Sequence, residues 1–188
     1  LKADTLNCRT DSAWLRYTGA DATSYQWSGP SGLISNVREI RSGLPGWHRL
    51  VAIANNGCSY EDSVYVSIDR SLPILALQAD TITCTRTTVS PTVATDSTAI
   101  AFHWTGPGGF SSNVKSIQVG NSGIYTLTVI AANGCSDSAI LNIPSDTVHP
   151  GAFLQADTIT CKQIGKIQAG MITGNIIRMQ WVGPGGFS

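Results

Sequence analysis

The sequence predicts an all-β chain of tandem β-sandwich repeats, each about 77 residues long, and three observations predict it. Three segments open almost identically, Leu1-Lys-Ala-Asp-Thr-Leu-Asn-Cys8, Leu77-Gln-Ala-Asp-Thr-Ile-Thr-Cys84 and Leu154-Gln-Ala-Asp-Thr-Ile-Thr-Cys161, so that the opening cysteines recur at a near-constant interval. Apolar and polar residues alternate with period two, and no stretch carries the 3.6-residue apolar stripe of a buried helix face. Short strand-like runs are divided by Gly, Pro, Ser and Asp at the close spacing of a sandwich.

Within a unit the elements follow in a fixed order. Short strands are expected at about 13–18, 23–28 and 36–41 in the first unit, and at about 99–105 and 113–119 in the second. A Trp and a Gly-Pro follow each opening Cys at a matched distance, as Trp27-Ser-Gly-Pro30, Trp104-Thr-Gly-Pro107 and Trp181-Val-Gly-Pro184. Asn56-Gly57-Cys58 and Asn133-Gly134-Cys135 then place a second Cys equally far beyond the Trp in the first two units. Alternating runs flank these turns, such as Tyr125-Thr-Leu-Thr-Val129 before one and Val64-Tyr-Val-Ser-Ile68 after the other. Asn-Gly in that setting signals a hairpin, because a type I′ turn needs positive φ at both central residues. Each unit therefore ends in a hairpin.

The Cys…Trp…Cys order points to an immunoglobulin-like sandwich, in which a Trp packs near a disulfide. Trp27, Trp104 and Trp181 are the expected core residues, and Gly123-Ile-Tyr125 is similar to the tyrosine corner of such folds. In the first unit His48 stands at the matching position. A bridge tying first strand to last within each unit is expected, Cys8–Cys58 and Cys84–Cys135, closing loops of about 51 residues that contribute roughly 4 kcal/mol each. A unit this small commonly needs such a staple, and matched cysteine pairs imply an oxidising compartment outside the cytoplasm. A zinc site is not expected, since no C-x2-C pair occurs and His48, His103 and His149 do not recur at matched positions. The expected organisation is repeat 1 over 1–73, repeat 2 over 74–150 and the N-terminal half of repeat 3 over 151–188. Cys161 would then find its partner near position 212, so the chain is expected to be a window on a longer array, with any secretion signal upstream.

Charge excludes several function classes. Twelve Lys and Arg balance twelve Asp and Glu, and only 13% of residues are charged, which leaves no basic stripe for nucleic acid or an anionic membrane. The longest apolar runs, Val51–Ala54 and Leu127–Ala132 broken by Thr128, fall far short of the roughly 20 residues of a membrane helix.

On these residues the chain resembles a known family. W-T-G-P-G-G-F-S, S-G-I-Y-T-L-T-V and N-G-C-S, opened by L-Q-A-D-T-I-T-C, look like the tandem PKD-like, immunoglobulin-like repeats of very large Bacteroidota surface proteins. Among these are SprB-like gliding-motility adhesins exported by the type IX secretion system. The resemblance implies an extracellular, cell-surface location and a repeat architecture, and it implies no one activity.

Eight of the ten Asp residues precede Ser or Thr, although Ser and Thr fill only 39 of 188 positions, so the excess calls for an explanation. The triplets are similar to the Asp-Ser/Thr-aliphatic acceptor of Bacteroidota O-glycosylation, and the candidate hydroxyls are Thr5, Ser12, Ser63, Thr81, Ser97, Ser138, Thr147 and Thr158. The alternative is local: such residues mark turns and strand starts, where short polar side chains bond nearby backbone. Gly106-Pro-Gly-Gly-Phe110, Gly183-Pro-Gly-Gly-Phe187 and Gly29-Pro-Ser-Gly-Leu33 lack the Lys of a phosphate loop and are expected to be structural turns. Asp69 with Asp80, and Asp146 with Asp157, are weak calcium candidates at the junctions, too few for the six to eight oxygens that Ca²⁺ takes. Trp14, Trp47, Tyr17, Tyr25, Tyr60 and Tyr65 enrich the first unit in aromatics that could stack on sugar rings.

No catalytic constellation repeats or clusters, and no cofactor is expected beyond covalent glycans. The expected function is a non-enzymatic structural or adhesive shaft. Its partners are other repeats of the chain, identical chains in a filament, or a surface polysaccharide. Pro73 and Pro150 stiffen its short junctions. A carbohydrate- or surface-binding module and the spacer of a secreted hydrolase are the alternatives.

Overall fold

A computed structural model of the chain describes residues 1–32, 34–173 and 176–186. Leu33 and Phe187, which close two of the expected Gly-Pro turns, lie outside the described residues. The fold is all-β and immunoglobulin-like. In the first unit Lys2–Ala3, Ala13–Arg16 and Glu39–Ser42 form an antiparallel sheet. It faces a second sheet in the order Ile34–Ser35, Ser24–Ser28, Gly46–Ile53, Ser59–Val66. Leu6, Ala13, Leu15, Trp27, Ile40, Leu50, Ala52 and Val66 meet between the two sheets as one core. The second unit has its own core, with Trp104, Tyr125, Leu127, Val129 and Ile143 at its centre. There Leu75–Gln78 pairs with Thr92–Thr95, opposite the sheet Phe110–Ser112, Ala99–Gly106, Gly123–Ala131, Ser136–Ile143. The third unit contributes the pair Gly151–Ala156 and Ile167–Thr173, and Trp181 is half-buried there beside a cleft shared with Leu154 and Ala169.

Period-two burial fits the strand argument. Along Gly123–Ala131 the inward residues Tyr125, Leu127, Val129 and Ala131 alternate with exposed or half-buried neighbours, because successive side chains of a strand point to opposite faces. The segment 113–119 is not the expected strand. Only Val119 pairs, with Val89, and the Lys115 carbonyl accepts the Trp104 indole N–H while Ile117 and Val119 fill the core. This stretch crosses from one sheet to the other, so its apolar residues are buried without a ladder.

Both expected hairpins form, but not with two-residue turns. The Gly57 N–H bonds the Ala54 carbonyl and the Ala54 N–H bonds the Cys58 carbonyl, with the same pattern at Gly134, Ala131 and Cys135. Only the glycines have positive φ, 83° at Gly57 and 81° at Gly134, which is a three-residue loop ending in a left-handed glycine bulge. The Asn side chains act on the next turn of chain instead, Oδ1 of Asn56 and of Asn133 accepting the N–H of Cys58 and Cys135.

The Gly-Pro turns are structural locks. A Cβ on Gly29 would meet the His48 ring at 2.6 Å, and one on the equivalent Gly106 would meet the Tyr125 ring at 2.4 Å. The Tyr125 hydroxyl donates to the Asn121 carbonyl at 2.9 Å, the expected corner, and His48 replaces it with contacts to Ser42 Oγ and the Gly46 carbonyl.

The disulfide topology differs from the expected one. Leu6–Asn7 runs parallel to Ile68–Asp69, and Ile82–Thr83 parallel to Ser145–Asp146. This parallel pair sets each unit's first Cys at the end where the last strand leaves. The Asn-Gly-Cys turn lies at the other end, about 11 residues back from Asp69 or Asp146, or up to ~36 Å at ~3.3 Å per extended residue. Cysteines with Cα atoms more than about 7 Å apart cannot be bridged. Neither Cys8–Cys58 nor Cys84–Cys135 forms, and the units do not each hold one internal disulfide. Cys8 is bonded to Cys135, with Cα atoms 5.0 Å apart across a sequence separation of 127, while Cys58, Cys84 and Cys161 carry exposed free thiols.

Candidate functional site: the stapled junction

The junction between the first two units is assembled from three short pieces. The first is the loop after Asn7, whose Oδ1 accepts the N–H groups of Arg9 and Thr10, both at 2.9 Å, while the Asn7 N–H bonds the Thr10 carbonyl. That ring of bonds presents Cys8 outward. The second is the hairpin tip Asn133-Gly134-Cys135 of the next unit. The third is the linker Asp69–Ser71, where Asp69 Oδ1 accepts the Ser71 N–H.

These pieces interlock around the disulfide. Asn133 Nδ2 donates to Asp69 Oδ1 at 3.1 Å and to the Ser71 carbonyl at 2.9 Å, and the Asn133 carbonyl accepts the Cys8 N–H at 3.2 Å. Gly134 lies against Arg9, so closely that a Cβ there would be 2.2 Å from Arg9 Cγ. Cys135 is left 1% exposed. Bonds from Ser71, and then from the Asn133 amide, hold the Asp69 carboxyl below its ordinary value. On the other side of the linker, Asp96 accepts the Ile74 N–H at 3.2 Å and two bonds from Thr98, which also lower its pKa, the Thr98 hydroxyl most. The linker is thereby bonded on both sides to the second unit.

Two of the four calcium candidates are engaged otherwise. Asp69 is committed to Ser71 and Asn133, and Asp80 pairs with Arg86 at 2.9 Å. Among the described residues no three His, Cys, Asp or Glu side chains gather as a metal site would require. Thr5, Ser63, Ser97, Ser138, Thr147 and Thr158 are exposed, and Ser12 and Thr81 half-buried. Several of their Asp neighbours make the local bonds of the alternative reading, as where Asp62 and Asp137 accept the N–H of Ser63 and Ser138. The aromatics divide. Trp14 lies under the Arg41 guanidinium at 4.3 Å, Tyr17 contacts Tyr25 and Tyr60, and Trp47 with Tyr65 forms an exposed cross-strand pair 5.4 Å apart. His48, His103 and His149 sit in unrelated settings, on Ser42, on Asn113, and 3.9 Å from the Cys84 sulfur. No helix among the described residues is long and apolar enough to cross a membrane.

Sequence reasoning missed the partner of Cys8. The available signal was the Leu-x-Ala-Asp-Thr-x-x-Cys opening itself, whose brief apolar run pairs in parallel with the unit's end and so carries its Cys to the far pole.

Residues 71–144, the second unit, match the model of the PKD-like domain. No curated protein sequence matches the chain. The fold is similar to that of a solved chain from a 1.5-MDa bacterial ice-binding adhesin, studied for retention at the host cell surface, with TM-score 0.53 and 13% identity. That match covers 84% of this chain and 66% of the adhesin chain, so this chain spans just under two thirds of the relative's length. An amphioxus IgVJ-C2 molecule is matched at 14% identity and TM-score 0.35, over 71% of this chain and 96% of that one.

Proposed function

We propose that the chain is a stretch of the non-enzymatic shaft of a long extracellular bacterial surface adhesin or filament. The single observation that carries the reading is the junction, where a disulfide and the Asn133 clamp tie one sandwich to the next. Such an arrangement transmits load from unit to unit and resists bending at the linker. The PKD-like match and the fold shared with an adhesin support the same reading. Disulfide chemistry favours a place outside the cytoplasm.

The finer parts of the proposal rest on the sequence resemblance: export by a type IX system, a gliding-type adhesin, and O-glycans on the exposed Asp-Ser/Thr hydroxyls. The exposed Trp47–Tyr65 pair favours a second reading, a face that stacks on surface polysaccharide. Protease treatment of intact cells tests the shaft, with the repeats expected to be removed while cytoplasmic proteins survive. Full protection in intact cells would sink it. Intact mass of the native protein reads the glycans, and a glycan array with a Trp47→Ala control reads the second face.

A further inference from the structure

The first two units each have the two halves of the junction at opposite poles, and between them one half of each kind is unused. The unused hairpin tip is Asn56-Gly57-Cys58. It repeats the geometry of Asn133-Gly134-Cys135 bond for bond: the Asn Oδ1 accepts the Cys N–H at 3.0 Å in both, and the glycine φ values are 83° and 81°. The difference lies in what faces it. A Cβ on Gly57 would meet nothing within 4 Å where one on Gly134 would strike Arg9, and Cys58 is exposed where Cys135 is buried.

The unused receptor is the loop around Cys84. Thr83 Oγ1 accepts the Arg86 N–H at 3.0 Å and the Thr83 N–H bonds the Arg86 carbonyl at 2.9 Å, the same ring that Asn7 and Thr10 make around Cys8. The parallel pairing of Ile82–Thr83 with Ser145–Asp146 repeats that of Leu6–Asn7 with Ile68–Asp69, which sets Asp146 where Asp69 receives the Asn133 amide. A lone exposed cysteine would say nothing. Here the equivalent residues of the same chain already form the bond.

We infer that Cys8–Cys135 is one link of a repeating ladder, in which the first Cys of every unit bonds the second Cys of the unit after it. Cys84 bonds the Asn-Gly-Cys turn of the unit that opens at Leu154. Cys58 bonds the opening Cys of a unit on its N-terminal side, whose Asp receives the Asn56 amide. A head-to-tail contact of this kind propagates without closing. Each link forms when two thiols lose two protons and two electrons to the disulfide of a thiol oxidoreductase, which leaves as its dithiol. The inference rests on the tandem-array part of the proposed function and not on any adhesion target.

The ladder has a mechanical consequence that bridges within units would lack. Its loops overlap, since Cys84 lies inside the loop closed by Cys8 and Cys135. The shortest covalent path leaves Cys8 for Cys135, follows the backbone from there to Cys161, and crosses again at that sulfur. The two units between Cys8 and Cys161 thus stretch no further than about 26 residues of backbone allow, about 90 Å at ~3.6 Å per residue. Reduction should lengthen the limiting extension about sixfold, since the whole backbone from Cys8 to Cys161 then carries the load.

The test is non-reducing peptide mapping of the parent protein recovered from the cell exterior, with thiols blocked by N-ethylmaleimide before lysis. The expected map joins the Cys84 peptide to an Asn-Gly-Cys peptide of the following unit, and the Cys58 peptide to an opening-Cys peptide of the preceding one. Maleimide on Cys58 or Cys84, a Cys58–Cys84 bond, or a bond between identical cysteines of two chains would overturn the ladder. If Cys8–Cys135 is found while Cys58 and Cys84 are blocked on surface-exposed protein, the ladder fails and the shaft stands. Protein found only inside cells with every thiol blocked removes both.

Discussion

Pulling the chain from its two ends measures the Cys8–Cys135 bond most directly. With the bond closed, force enters near residue 8 and leaves near residue 135 through sulfur, so the 127 intervening steps of backbone carry no load. Opening the bond by reduction, or replacing Cys135 with Ser, exposes both sandwiches to force. At ~3.5 Å per residue, 127 residues add about 440 Å of contour length, less the 5.0 Å that separated the two Cα atoms. The same loop, by its length, contributes about 5 kcal/mol to the equilibrium stability of the pair through the entropy of the unfolded chain. In single-molecule force spectroscopy the oxidised chain should show only the extension of its flanks, residues 1–7 and 136–188, about 210 Å at ~3.5 Å per residue, and the reduced chain two added unfolding events that sum to the full length. Two separate gains of about 175 Å each, the release expected from Cys8–Cys58 and Cys84–Cys135 loops of about 51 residues, would refute the topology. So would an extension indifferent to reductant.

Three further outcomes are expected. Gly57→Ala and Gly134→Ala both place a side chain at positive φ and should each cost about 1–2 kcal/mol in thermal or denaturant melts. Only Gly134→Ala meets Arg9, so only it should raise maleimide labelling of Cys8 and Cys135 during refolding. Tyr125→Phe removes the bond to the Asn121 carbonyl while keeping the ring against Gly106, and should cost about 1 kcal/mol in a urea titration of the second unit. Asp69 and Asp96 have carboxyl pKa values lowered from 3.8, so their bonds stabilise the folded junction fully above that value and are lost as pH falls through the lower folded ones. In a Cys135→Ser chain, amide exchange at Ser71 and Ile74 should therefore be unchanged from pH 8 to pH 5, once corrected for intrinsic rate, and accelerate below about pH 4.

Much of the fold was legible because it depends on neighbours in sequence. The period-two run through Tyr125, Leu127 and Val129 requires a strand with one buried face. Asn-Gly marks a hairpin whichever turn is used, and only the count of positive φ values separates the two-residue form from the three-residue loop observed. The Trp-x-Gly-Pro signal was read as a turn, but its reason, a glycine pressed on Tyr125 or His48 from a distant strand, is a tertiary contact. The stretch 113–119 misled because burial in a crossover and burial in a strand leave the same apolar residues behind.

By itself the sequence determined the repeat, the β periodicity and the all-β sandwich, since each follows from local pattern repeated at a fixed interval. It could not determine which cysteine meets which. Alternating first and second cysteines are equally compatible with pairing inside a unit and pairing across a junction. Only the tertiary structure decided between them, because the parallel pairing of Leu6–Asn7 with Ile68–Asp69 carries Cys8 to the pole of its unit away from Cys58 and against the hairpin tip of the next.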